Sequence, residues 1–117
     1  MRHRKKLKKL GKGTSHRLAS LRNLARALIT FGKIKTTVAK AKEAGRFTEK
    51  LITIAKRAKK LADATADERK KKAFIVNGMR RIFSRLRSRP LSRKVMNDLA
   101  VRYADRNGGY TQVIRLG

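Results

Sequence analysis

The sequence predicts an α+β fold: a mostly helical body of four helices packed on a small sheet of two predicted strands, with a basic N-terminal arm. Three observations lead there. Four apolar stripes recur at the three- and four-residue spacing of a buried helix face. Two segments far apart in the chain, Lys33 to Val38 and Tyr110 to Leu116, read as strands. The first 42 residues contain no carboxylate but fourteen Lys or Arg, seven of them between Arg2 and Lys12.

Residues 1–13 offer only Leu7 and Leu10 as apolar anchors and end in Gly11 and Gly13. Such a segment cannot bury a face, so it reads as an arm that orders on binding, attached to one domain over residues 14–117. Thr14 or Ser15 supplies an N-cap oxygen for the first helix. Its stripe is Leu18, Leu21, Leu24, Ala25, Leu28 and Ile29, with Arg17, Arg22 and Arg26 mostly on the other sides, and Gly32 closes it as the C′ residue. In Lys33 to Val38, Ile34, Thr36 and Val38 point one way and Lys33, Lys35 and Thr37 the other, the alternation of a half-buried strand.

A second helix is predicted from about Ala39 to Leu61, on Ala44, Phe47, Leu51, Ile54, Ala55, Ala58 and Leu61. Thr65-Ala66-Asp67-Glu68 has capping-box spacing and starts a third, whose stripe is Ile75, Met79, Ile82 and Leu86. Pro90 ends that helix or opens the next. The fourth follows Leu91, Val95, Leu99 and Tyr103 until Asn107-Gly108-Gly109 stops it, and Tyr110 to Leu116 forms the final strand. Phe31, Phe47, Phe74 and Phe83 fit apolar stripes or element ends and are read as core.

Composition narrows the class of function. A formal net charge of +27 on 117 residues makes a free chain repel itself, and a polyanion relieves that repulsion. Nucleic acid is the first candidate, since each phosphate paired with Lys or Arg releases a counterion. The chain has no Cys, which excludes disulfides and thiolate metal sites and suits a reducing cytosol. No apolar run approaches the roughly 18 residues of a membrane span, and no apolar h-region follows the first charges.

Catalysis finds little support in the residue pattern. Of the seven carboxylates, Asp67, Glu68 and Asp98 precede Lys71, Lys72 and Arg102 by four residues, and Glu43 precedes Arg46 by three. Helix-face pairing explains them. No nucleophile and base stand at a helpful spacing, His3 and His16 lie thirteen apart with no carboxylate between them, and Gly11 and Gly13 lack a Walker-type ending. The sequence therefore predicts no enzyme, no metal and no cofactor. By contrast, Lys70-Lys71-Lys72 and the series Arg80, Arg81, Arg85, Arg87, Arg89, Arg93 and Lys94 spread around the last two helices, as if phosphate is met on more than one side. Composition alone leaves structured RNA and nonspecific DNA open.

The order of residues adds to this. Met1-Arg2-His3, Leu10-Gly11-Lys12, Ser15-His16-Arg17 and Arg22-Asn23 are followed by Ile34-Lys35-Thr36-Thr37, Lys40-Ala41-Lys42-Glu43 and Leu51-Ile52-Thr53-Ile54-Ala55-Lys56. Near the end come Tyr103, Arg106 and Gly108-Gly109-Tyr110-Thr111. This succession resembles the bacterial large-subunit ribosomal protein L-seventeen family, well over the first half and the last fifteen residues and poorly over 57–90.

The resemblance implies a structural constituent of the large ribosomal subunit, in the cytoplasm, that binds and stabilises 23S ribosomal RNA near the polypeptide exit region. Neighbouring large-subunit proteins are the implied partners, with no membrane and no small-molecule substrate. It implies an α+β fold with an N-terminal extension running into RNA, and RNA contacts at Arg2, His3, Arg4, Arg17, Arg22, Asn23, Lys35, Thr36 and Lys42. The other arm cations Lys5, Lys6, Lys8, Lys9 and Lys12, with Ser15 and His16 of the matched motif, complete the candidate set. The resemblance implies that family members continue past the last strand into a turn and another strand, whereas this sequence stops at Gly117, so either a third strand is missing or the chain is truncated. The competing reading is a nucleoid-associated or histone-like DNA-binding protein, which shares the charge but favours a dimer and any duplex. A cationic membrane-active protein would need a broader apolar face than these stripes provide.

Overall fold

The computed structural model describes residues 13–116; the predicted arm lies, but for Gly13, outside them. Four helical segments follow one another: α1 (Thr14–Phe31), α2 (Val38–Asp63), α3 (Glu68–Leu86), and a last rod made of α4 (Arg89–Lys94), a π-helical turn (Val95–Leu99) and α5 (Ala100–Arg102). Local chemistry sets their ends. Gly32 adopts the left-handed conformation, φ 80°, and donates its N–H to Leu28 O at 2.8 Å, so α1 closes as the sequence predicts. Its start differs: Gly13 is the N-cap, no side chain caps the helix, and Thr14 is already helical.

The start of α2 falls within one residue of the predicted Ala39, while the cap of α3 departs from expectation. Thr37 Oγ1 accepts from Lys40 N–H at 3.4 Å, so Val38 begins α2 and does not end a strand. Asp67 caps α3 by accepting from Arg69 N–H at 3.0 Å, while Thr65 donates backwards to Leu61 O at the end of α2. Ser88 caps α4, and Pro90 sits in its first turn, where no N–H is needed.

The α+β prediction is overturned. Among the described residues there is no strand and no sheet; the chain is all helical. Residues 33–37 and 110–116 are coil, and no backbone hydrogen bond joins them. Both line one groove of about 800 Å³. Alternation marks a backbone with one half-buried side, but a sheet also needs paired partners, and two short strands alone are marginal. One tail N–H, that of Thr111, is held instead by Glu49 Oε1 at 3.1 Å.

One core joins all the helices. Ala25 and Ile29 of α1, Leu51, Ile52, Ala55 and Ala58 of α2, Ile82 and Leu86 of α3, and Val95, Met96, Leu99 and Ala100 of the last rod bury together. The predicted stripes supply most of these, with three corrections. In α1 the buried series is Arg17, Leu21, Ala25 and Ile29, one residue off the predicted start, and Leu18 is exposed. Leu61 is exposed while Ala62 is buried. Phe31, assigned to the core, is 75% exposed, and Phe83 is exposed as well.

Helix α3 packs closely on α2 at Gly78. A Cβ on Gly78 would lie 2.7 Å from Ala58 Cβ and 3.0 Å from Met96 Cε, so glycine lets the two backbones approach. Gly78→Ala should therefore destabilise the chain by about 1–2 kcal/mol, overpacking outweighing the gain of up to about 1 kcal/mol in helix propensity. A thermal melt showing an unchanged or higher midpoint would refute this, and adding Ala58→Gly should restore part of the loss.

The end of α3 is held by α1. Arg26 donates from Nε to Leu86 O and from Nη2 to Arg87 O, both at 2.8 Å, and Arg22 donates from Nε to Arg85 O at 3.1 Å. Three successive carbonyls without helical partners are satisfied this way, beside an Arg87 in the left-handed region at φ 53°. Arg26→Ala should lower stability by about 2 kcal/mol, the range for hydrogen bonds made by a charged donor. Arg26→Lys should recover less than about half, since one ammonium cannot reproduce the fork. Urea midpoints of the three proteins test both statements.

Candidate nucleic-acid interface

Eight of the candidate residues fall within the described chain: Ser15, His16, Arg17, Arg22, Asn23, Lys35, Thr36 and Lys42. Arg2, His3, Arg4, Lys5, Lys6, Lys8, Lys9 and Lys12 lie outside it. The structure does not gather the eight into one patch. Ser15, His16 and Arg17 share the first turn of α1, Lys35 and Thr36 lie in the coil beyond its other end, and Lys42 is in the early turns of α2. At 1.5 Å per residue, the 18-residue α1 separates the two groups by roughly 25 Å.

Their environments differ as much as their positions. Ser15, His16, Asn23, Lys35, Thr36 and Lys42 are exposed. Lys35 and Thr36 line the 800 Å³ groove together with Lys33, Arg102 and Arg115. Arg22 is half-buried and directs its Nε to the end of α3, so part of its donor set is already used inside the protein. Arg17 is the exception. It is 8% exposed, its Nε has no hydrogen-bond partner among the described residues, and it occupies the helix face that Leu21, Ala25 and Ile29 continue into the core.

Carboxylates neutralise little of the surface. Among the described residues three ion pairs form: Arg46–Glu43 at 3.2 Å, Arg102–Asp98 at 3.2 Å and Lys71–Glu68 at 3.7 Å. The first two follow the sequence expectation; the third joins residues three apart, because Asp67 is occupied as a cap. The late basic series divides in the same way. Lys94 donates to Ile29 O at 2.7 Å at the end of α1, Arg89 lies over the Phe83 ring at 5.9 Å, and Arg80, Arg81, Arg85 and Arg93 are exposed.

Sequence reasoning missed the internal work of Arg26 and Lys94, which depends on long-range packing and leaves no local signal. It also missed Phe31, whose ring stands in solvent beside Gly32 and Lys33. Among the described residues no group of three or more His, Cys, Asp or Glu is placed to hold a metal ion, and no helix is long and apolar enough to cross a membrane. What the arrangement offers is donors: guanidinium, ammonium, hydroxyl and amide groups facing outwards with few acceptors of their own.

Comparison with known proteins gives this donor surface a family. The profile described as Ribosomal protein L17 matches residues 20–117, running through the 57–90 segment where the motif-level resemblance lapses. The large ribosomal subunit protein bL17 of Sulfurimonas denitrificans is 43% identical over 115 residues, covering 98% of this chain and 85% of its own length. Its counterparts in Fervidobacterium nodosum and Dictyoglomus thermophilum are 43% and 44% identical over 117 residues, each covering 100% of this chain and 87% of the relative. Identity at this level, sustained along the chain, shows that it belongs to the ribosomal protein L17 family.

Proposed function

We propose that the chain is a cytoplasmic structural component of the large ribosomal subunit that binds and stabilises 23S ribosomal RNA, with neighbouring subunit proteins as further partners. The choice of 23S RNA and a position near the polypeptide exit region rest on the family resemblance. Binding to RNA phosphate rests on the molecule itself, and on Arg17 above all. A guanidinium is always protonated and carries five donors. Burying one of these N–H groups without an acceptor costs about 1–3 kcal/mol, so the Nε–H calls for an acceptor that the described residues do not supply. A phosphate oxygen meets that need with a short, charge-assisted bond.

The other candidates surround this anchor. Ser15, His16 and Asn23 are donors exposed along α1, and the first turn of that helix has no side-chain cap and no acidic residue, which favours an approaching anion. At the far end Lys35, Thr36 and Lys42 form a second contact, where the exposed Phe31 ring offers a surface for a base. Residues 1–13 act as an arm ordered by RNA, on a body formed by residues 14–117.

RNA affinity should fall steeply with salt, log K against log salt having a slope steeper than about −4 on the rule of about −0.7 to −0.9 per phosphate. Equal affinity for random duplex DNA under the same conditions would count against the assignment. Arg17→Met supplies a sharper test. It should weaken RNA binding by about tenfold or more and flatten the slope by about one. The free protein should be as stable as before or more so, because a buried Nε–H without a partner among the described residues has been removed. A lower melting temperature with unchanged RNA affinity would make Arg17 a structural residue only.

A further inference from the structure

A second groove, which contains none of the sixteen candidate RNA-binding residues, runs between the C-terminal half of α2, the N-terminal half of α3 and the chain around α5. Its volume is about 1040 Å³. The rim is cationic: Arg57, Lys59, Lys60 and Lys72 line it without a carboxylate partner among the described residues, and Asp63 is the one acidic side chain in the lining. Part of the lining is apolar. Ile75, Val76, Val101 and Ala104 make up that part, with Val76 44% and Val101 59% exposed. One end is fixed by Lys56, which donates to Tyr110 Oη at 2.8 Å and to Arg106 O, and lies 4.9 Å from the centre of the Tyr110 ring.

Nucleic acid uses half of such a groove. Phosphates pair with the lysines but gain nothing from two exposed valines. A base needs an aromatic platform, and Tyr110, the aromatic residue in the lining, already faces Lys56 and Tyr103. A helix with an apolar stripe flanked by carboxylates uses all of it, its stripe covering Val76 and Val101 and its acids meeting the rim. Lysine suits that rim, since a point charge on a flexible stem pairs with carboxylates at loose geometry.

We propose that this groove docks an acidic amphipathic helix of another protein. Seventeen positions separate Lys42 from Lys59 on α2, roughly 25 Å along the helix, so the docked helix and the RNA contacts near Lys42 occupy different parts of the surface. The inference does not depend on the RNA assignment, and either stands if the other fails.

The probe is a synthetic helical peptide of about 18 residues, with leucines at i, i+3, i+4 and i+7 between glutamates, titrated against the full chain by fluorescence anisotropy. A scrambled peptide of equal composition controls for charge. The patterned peptide should bind about tenfold or more tightly than the scrambled one, and Val101→Asp should abolish that advantage. Val101 is exposed, so the helix content of the variant should match the parent by circular dichroism, and its affinity for ribosomal RNA should change less than about twofold. Lys59→Glu combined with Lys60→Glu should weaken the patterned peptide in the same way through the rim. Equal binding of the two peptides would overturn the proposal, leaving only charge. So would a Val101→Asp variant that loses RNA affinity and keeps the peptide, which would assign the groove to nucleic acid.

Discussion

A chain with 34 basic and 7 acidic side chains has to fold without enough carboxylates to go round, and its helix ends answer that constraint. The C-terminus of a helix carries unpaired carbonyls and about half a negative charge. Arg22 and Arg26 place their guanidinium groups on the last carbonyls of α3, and Lys94 places its ammonium on Ile29 O near the end of α1. Lys56 does the same for Arg106 O in the turn after α5. Backbone dipoles thus act as the counterions for these side chains. Each contact also joins segments fifty or more residues apart, so the charges that oppose compaction at long range fasten it locally.

These fastenings fix where the helices lie, and packing does the rest. Gly78 lets α3 settle against Ala58 of α2, and the π-helical turn at Val95–Leu99 carries the last rod through the core. Val95, Met96, Leu99 and Ala100 all bury there, more of the rod's surface than the Leu91, Val95, Leu99, Tyr103 stripe alone provides. The consequence is a packed body whose outer faces carry donors. Arg17 marks the boundary, a cation carried into the core face of α1 by the same periodicity that buries Leu21.

How much of this was legible in the sequence follows from the range of each interaction. The αL closure at Gly32 depends on one residue and its neighbours, so it could be read directly. Helix stripes average over many positions, which is why most of the core was found. Residues 33–38 were misread as a strand because Ile34, Thr36 and Val38 satisfy a period of two while Thr37 supplies a cap, and alternation says nothing of a pairing partner. In the interface the outward cations were visible as composition. Burial of Arg17, the inward turn of Arg26 and the exposure of Phe31 were not, because each depends on which helix lies opposite.

The coil segments beside the 800 Å³ groove have a colloidal consequence. Residues 33–37 and 112–116 make no backbone hydrogen bonds to one another, and Val113, Ile114 and Leu116 are exposed among them. Open backbone beside apolar side chains is the kind of edge on which chains add to one another. Here the guard is electrostatic, since two copies that each carry such an excess of positive charge repel before those edges meet. Screening shrinks to about 3 Å at 1 M salt, so the ionic strength that strips the protein from a polyanion also exposes it to its own kind.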